Sequence, residues 1–326
     1  MSEFVGRQIE VGVAVETTRG TPASAPEKWL KKINATIVER SEKKDDESTR
    51  GVLEDSLGTR IVKKWIEGDL EGNVHADAIG YLLYNLYGAV SSVAAGGGAF
   101  THSFTMAQSI QHASLSLFSK DGSATQLVYD NCMIGSLEFS AVVDDYVKFT
   151  ASFMGADSAA NASSPSYSTE YDFVGRDIVV KFADTEAGLA AATAVKVKEI
   201  TLTFETALIA DHILGQFTPD DVYNANLSIG IEFMLNYDDT TFKTLFLADT
   251  YKYMSVAITG TAVIGASSNP TLSWIFNRVQ VQDWNREGAA DDLVTQPVTV
   301  KAYYNQTDGE ASTCSLVNLT TEYNIP

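Results

Sequence analysis

Two stretches in which apolar and polar residues alternate constrain the chain more than any other feature. In residues 61–74 one side carries Ile66, Leu70 and Val74, with Gly68 and Gly72 between them. The other side carries Glu67, Asp69, Glu71 and Asn73. In residues 222–235 one side carries Tyr223, Ala225, Leu227, Ile229, Ile231 and Phe233, and the other carries Asn224, Asn226, Ser228 and Glu232. A period of two places each set on one face of a strand, so each stretch reads as a sheet strand with one dry and one wet face.

The neighbourhoods of these stretches also match. Before the first lies a β-branched strand, 33–40, then a polar segment, 41–60. After it come an apolar run at helical spacing, Ile79 to Tyr87, with Gly88 placed to cap it, and strands near 112–119, 127–141 and 145–154. The second half repeats the order: strand 195–204, loop 205–219, strand 222–235, short helix 239–249, then strands near 253–264, 271–284 and 294–304. A shift of 161 places Ile66 on Leu227, Leu70 on Ile231 and Glu71 on Glu232; a shift of 151 places Val147 on Val298 and Phe149 on Val300. The expected fold is mainly β, with two tandem β-sandwich or barrel domains, each with one short helix, produced by internal duplication. The expected boundaries are an N-terminal arm 1–28, a first domain 29–155, a linker 156–170, a second domain 171–304 and a C-terminal arm 305–326. Residues 88–111, with Gly96, Gly97 and Gly98, read as a small-residue connection.

Charge narrows the function classes. Twenty-three basic against 42 acidic residues give −19, and a field of that sign opposes tight binding of nucleic acid. The balance is uneven. Residues 28–64 hold ten Lys or Arg and seven Asp or Glu, which is 10 − 7 = +3 and leaves −22 for the remainder. A short basic segment on an acidic body is a candidate docking element for another copy of the chain.

No catalytic or metal-binding constellation is expected. His75, His102, His112 and His212 lack ligand spacing with one another or with Cys132 and Cys314, and there is no His-Glu-x-x-His. Gly96–Gly98 is followed by no Gly-Lys-Ser/Thr, and there is no Gly-x-Ser-x-Gly elbow. Two cysteines exclude a disulfide scaffold. No run of 18 apolar residues is present, and no basic segment followed by an apolar one opens the chain. No membrane span, no signal peptide and a reducing cytoplasm are therefore expected. Trp29, Trp65, Trp274 and Trp284 support an alternative, a β-sandwich carbohydrate-binding or adhesin module.

The segment Gly12-Val-Ala-Val-Glu-Thr-Thr-Arg-Gly-Thr-Pro22, the Trp29 strand, the charged loop 41–60 and Val62-Lys-Lys-Trp-Ile-Glu-Gly-Asp-Leu-Glu-Gly72 running into the helix 79–87 occur in this order. In that order the chain resembles the tail tube (major tail) proteins of long-tailed, non-contractile bacteriophages. The resemblance covers residues 1 to about 304. It implies a structural subunit, not an enzyme and without a cofactor, that self-assembles into stacked rings forming a hollow conduit for DNA ejection. A doubled chain implies a homotrimeric ring with pseudo-sixfold symmetry. It further implies tape-measure, tail terminator and tail tip proteins as partners, transient passage of double-stranded DNA, and a place in the virion tail after synthesis in the host cytoplasm. On this reading Glu67, Asp69, Glu71, Asn73, Asn224, Asn226, Ser228 and Glu232 face an acidic lumen. Lys43, Lys44, Asp45, Asp46, Glu47 and Arg50 belong to a loop that reaches the next ring.

Overall fold

The computed structural model describes residue 3 and residues 5–122 and 124–323. The chain opens with β1 (Ile9–Val15), β2 (Lys28–Leu30), β3 (Lys32–Asp45) and β4 (Thr59–Asn73), followed by helix α1 (Ile79–Tyr87). A hairpin of β5 (Gly88–Gly96) and β6 (Ala99–Met106) leads to β7 (Leu115–Asp121), β8 (Thr125–Val142), β9 (Lys148–Gly155) and β10 (Ser158–Ala160). The second unit comprises β11 (Ile178–Ala183), β12 (Ala194–Val195), β13 (Val197–Asp211), β14 (Asp221–Asn236) and helix α2 (Thr241–Ala248). It closes with β15 (Lys252–Thr259), β16 (Thr271–Trp284), β17 (Thr295–Ala302) and β18 (Ser312–Asn318). The fold is mainly β.

Strand pairing recurs from one unit to the other. In the first unit β1 pairs β2 and β7, β8 pairs β7, β9 and β10, and β4 pairs β3 and β9. In the second, β11 pairs β12 and β15, β16 pairs β15, β17 and β18, and β14 pairs β13 and β17. Three pairings lack a counterpart: β5 with β6, β6 with β18, and β8 with β13. The last two join the units. The register also refines the match. Leu70 lies opposite Ala151 and Ile231 opposite Val300, so β9 maps on β17 with a shift of 149, not 151. A slip of two residues keeps every side chain on its own face, and alternation alone cannot see it.

The long strands β8 and β16 each serve two sheets. Their first halves pair with β7 and β15, and their second halves with β9 and β17. This leaves an uninterrupted eight-stranded antiparallel sheet in the order β3-β4-β9-β8-β13-β14-β17-β16. One buried apolar cluster runs through both units, from Val11 on β1 to Leu316 on β18.

Several boundaries differ from expectation. The predicted N-terminal arm contains β1, whose Val11 and Val13 are fully buried; residues 1, 2 and 4 of that arm lie outside the described residues. The predicted C-terminal arm contains β18, held between β16 and β6, and Tyr323, whose ring sits where a side chain on Gly80 of α1 would go. Residues 324–326 lie outside the described residues. β18 is short and buries the polar Ser312 and Asn318 beside Cys314 and Leu316, so its apolar period is weak, whereas β1 carries Ile9, Val11, Val13 and Val15 at a period of two, a strand signal within the expected arm. The 156–170 segment holds β10, paired to β8, and the buried Glu170, 3.6 Å from Lys28 Nζ. The stretch 88–111 contains the β5–β6 hairpin. It turns at Gly96, Gly97 and Gly98 with φ of 96°, 62° and 90°, a conformation that needs glycine.

The helices occupy equivalent places in different surroundings. All nine residues of α1 are buried, and Gly88, at φ 80°, caps it with its amide on Tyr84 O. In α2 only Phe242 is buried, and Leu247 is exposed. The hairpin β5–β6 and the C-terminal residues that box in α1 have no counterpart around α2.

Candidate functional site

Pairing register sorts the eight-stranded sheet into rows that share a face. One row runs Ala35, Leu70, Ala151, Leu137, Phe204, Ile229, Ala302 and Val279. The next residue along each strand gives a row of the opposite character: Asn34, Glu71, Thr150, Glu138, Thr203, Gly230, Lys301 and Gln280. A second polar row is Asn73, Lys148, Ser140, Thr201, Glu232, Thr299 and Asp283, and a third is Thr36, Asp69, Ser152, Ser136, Glu205 and Ser228. One face is thus dry and packed on the core while the other is wet across all eight strands.

The two glycines of β4 fit this scheme. A Cβ on Gly72 would lie 2.9 Å from the Phe149 ring, and one on Gly68 would lie 2.8 Å from the Phe153 ring. Both rings belong to the neighbouring strand β9, and the glycines leave room for them on the apolar face.

The wet face is acidic. It carries Glu67, Asp69, Glu71, Glu138, Glu199, Glu205, Glu232 and Asp283 against Arg40, Lys148 and Lys301, which is 3 − 8 = −5. Two of the three cations are already engaged. Arg40 Nε lies 2.6 Å from Glu67 Oε1, and Lys148 Nζ lies 2.6 Å from Asp145 Oδ2. Donation from Trp65 Nε1 (3.1 Å) and then from Arg40 holds the Glu67 carboxyl below the usual carboxylate range. It stays ionised near neutrality.

Of the residues singled out by sequence, Asp69, Glu71, Asn73, Ser228 and Glu232 fall on these polar rows; Glu67 shares their face but lies opposite Val38 and Met154, and Asn226 is exposed on the same strand as Ser228 and Glu232. Asn224 does not join them. It is 2% exposed, accepts from His112 N at 3.0 Å and donates to Ser109 O at 3.1 Å. Its polar groups hold the segment 109–112, so it faces protein and not solvent. Sequence reasoning missed Glu138 on β8, Glu199 and Glu205 on β13, and Asp283 on β16. The alternation Ser136, Glu138, Ser140 and the alternation Glu199, Thr201, Thr203, Glu205 carried the signal.

The loop 41–60 is shorter than expected. Lys43, Lys44 and Asp45 pair with Ile61, Arg60 and Thr59 in the hairpin, and the turn itself is 46–58. Backbone pairing needs no buried face, so a polar segment extends the strands. Asp46, Glu47 and Arg50 lie in the turn; Ser48 N donates to Asp46 Oδ1 at 3.1 Å and Arg50 Nη2 to Ser56 O at 3.2 Å. The turn also exposes Val52, Leu53 and Leu57. The equivalent β13–β14 connection exposes Ile213, Leu214 and Phe217, and Phe217 O accepts from Lys64 N at 2.8 Å, which ties one hairpin to the other.

Other candidate chemistry resolves into structure. His102 Nε2 meets Asn318 Oδ1 at 3.0 Å, and His112 meets the carbonyls of Leu86 and Ala107. Among the described residues no group of three or more His, Cys, Asp or Glu is placed to hold a metal, and no helix is long and apolar enough to cross a membrane. Trp29 and Trp274 are buried, and Trp65 and Trp284 are half-buried at strand positions, which leaves no exposed tryptophan platform for a glycan.

A model of the phage tail tube protein family matches residues 6–302. The chain belongs to that family, which is structural and not enzymatic, and is a structural component of the phage tail. No curated protein matches it by sequence. A cryo-electron-microscopy structure of the anti-feeding prophage baseplate, 6-fold symmetrised, aligns with 43% of this chain and 92% of its own at 9% identity and a TM-score of 0.30. A crystal structure of Hcp protein aligns with 42% of this chain and 96% of its own at 12% identity and a TM-score of 0.23.

Proposed function

We propose that the acidic face of the eight-stranded sheet lines the bore of the tail tube. One observation carries the reading: a sheet of eight strands, dry on one side, presents three polar rows with six carboxylates on the other, and Glu67 and Glu199 bring that face to eight. Three such chains, 24 strands in all, close a ring with pseudo-sixfold symmetry. The recurrence of pairing from unit to unit supports an origin by duplication. Closure also removes exposed sheet edges. Carboxylates facing a passing duplex repel its phosphates, and the few cations offer little counterion release, so DNA slides without lodging. Rings stack through the hairpin turns, where charged flanks surround exposed apolar tips. Tape-measure, terminator and tip proteins complete the tail, which is built in the host cytoplasm.

Negative-stain electron microscopy of the purified protein across a concentration series tests the assembly. Hollow tubes or stacked rings with three or six lobes in top view are expected, and a monomer at every concentration, even beside a tail-tip template, overturns it. Replacing Glu67, Asp69 and Glu71 with lysine is expected to spare assembly and slow genome ejection severalfold. Unchanged ejection kinetics in virions carrying the triple variant would remove these residues from the bore.

Deleting residues 47–57 is expected to leave the fold and single rings intact while abolishing stacking. The segment makes its hydrogen bonds within its own hairpin, so the fold does not depend on it. Long tubes from the shortened protein would assign the axial contact elsewhere.

A further inference from the structure

The ring proposed above needs a seam between chains, and the chain contains a template for it. Strand β13 is paired on both sides, by β14 and by β8. Its counterpart β3 is, among the described residues, paired only by β4. The second half of β8 is likewise paired on both sides, by β9 and β13, whereas the equivalent stretch of β16, from Gln280 to Trp284, is among the described residues paired only by β17. The two open edges are the counterparts of the two edges that meet in the internal seam.

We propose that β3 of one chain pairs antiparallel with β16 of a second copy, in the register that β13 and β8 use internally. Within the chain Phe204 faces Leu137, Thr203 faces Glu138 and Leu202 faces Phe139. The counterparts of Thr203 and Leu202 are Thr36 and Ala35; those of Glu138 and Phe139 are Asp283 and Trp284. The new seam therefore sets Ile37 on Val281, Thr36 on Asp283 and Ala35 on Trp284. Apolar meets apolar on the dry face, polar meets polar on the wet one, and the small Ala35 faces the large Trp284.

Burial supports the assignment. Leu202, Phe204 and Phe139 are 2%, 0% and 2% exposed at the internal seam. Their counterparts Ala35, Ile37 and Trp284 are only partly buried, packed against the core and open on the side where the neighbouring strand is missing. The edge is half apolar, and on β16 it keeps the bulge between Val281 and Asp283, which leaves Gln282 without an opposite residue; an unpaired edge is a template for another strand.

This seam rests on the ring-forming reading, and disulfide trapping separates the two. Thr36→Cys and Asp283→Cys are combined in one chain; both positions lie on the wet face, and directly opposed Cβ atoms stand about 4.5–5.5 Å apart in such pairs, near enough for a disulfide after small adjustment. The native cysteines, Cys132 and Cys314, are buried. Assembled and oxidised, most of the double variant is expected to run as a covalent ladder ending at the trimer, lost on reduction. Each single variant is expected to stay monomeric on the same gel, and Asn34→Cys with Asp283→Cys, two residues out of register, to cross-link at least several-fold less. Rings or tubes under the microscope without the cross-link overturn the seam and leave the ring. Cross-linking from the out-of-register pair alone overturns the register. Absence of any assembly from the unsubstituted protein, even beside a tail-tip template, overturns the ring and the seam together.

Discussion

Trp274→Ala is expected to cost about 4 kcal/mol of folding stability, within the range for truncating a large buried aromatic. Trp274 is fully buried on β16. Its ring centroid lies 4.8 Å from that of Phe139 on β8 and 6.3 Å from that of Phe204 on β13. Phe139 and Phe204 are themselves edge to face at 6.2 Å. The three rings come from both units and fill the core behind the internal seam, so a cavity there loosens both units at once. Trp274→Phe makes a useful contrast. The indole Nε1 of Trp274 is buried with no hydrogen-bond partner among the described residues, and phenylalanine removes that donor while keeping most of the ring. Its expected cost is below about 1.5 kcal/mol. Urea denaturation followed by far-ultraviolet circular dichroism reads both. An alanine variant with an unshifted midpoint would show that the cluster does not join the units.

Arg19→Met is expected to cost roughly 3 kcal/mol at neutral pH, the low end for breaking a buried ion pair, because a fifth of the Arg19 side chain stays in water. Arg19 lies between β1 and β2 and reaches into the second unit. Its Nη2 is 2.6 Å from Asp221 Oδ1 and donates to Val222 O at 2.7 Å, and its Nη1 donates to His112 O. Asn131 and Gln111 also donate to Asp221, at 3.0 and 2.8 Å. Burial alone would push the Asp221 carboxyl up, but the hydrogen bonds from Arg19, Asn131 and Gln111 outweigh it and hold the group below its ordinary range. A depressed folded-state value means the stabilisation is complete above the unfolded value of about 3.9 and is lost as pH falls through the folded one. The penalty of Arg19→Met should therefore be large at pH 7 and shrink towards pH 3. Equal penalties at both would assign Arg19 a packing role without charge.

The strands were readable because alternation is local. Ile66 and Leu70 against Glu67, Asp69 and Glu71 declare a face within six residues, and the same signal recurs at Ile229, Ile231 and Glu232. The helix at 79–87 and its glycine cap were readable for the same reason. Where several of these elements ended was less so. Lys43 to Asp45 continue a strand through backbone pairing alone, and Gly96–Gly98 close a hairpin whose first strand, β5, is too poor in large residues to announce itself.

Partners lie further off in the chain, and short-range pattern is blind to them. Asn224 carries the same polar signature as Asn226, yet Ser109 and His112, more than a hundred residues away, bury it. Cys314, Leu316 and Tyr323 look like the end of a tail until β16, β6 and α1 enclose them. From sequence alone came a mainly β chain with two similar runs, an alternating wet face rich in acid, and a basic stretch set on an acidic body. Tertiary structure alone decided that the wet faces join across β8 and β13 into one sheet and that β3 and β16 are left open at its ends. Side-chain period is a property of a strand, whereas pairing is a contest among all strands, settled by which edges the packed core brings together.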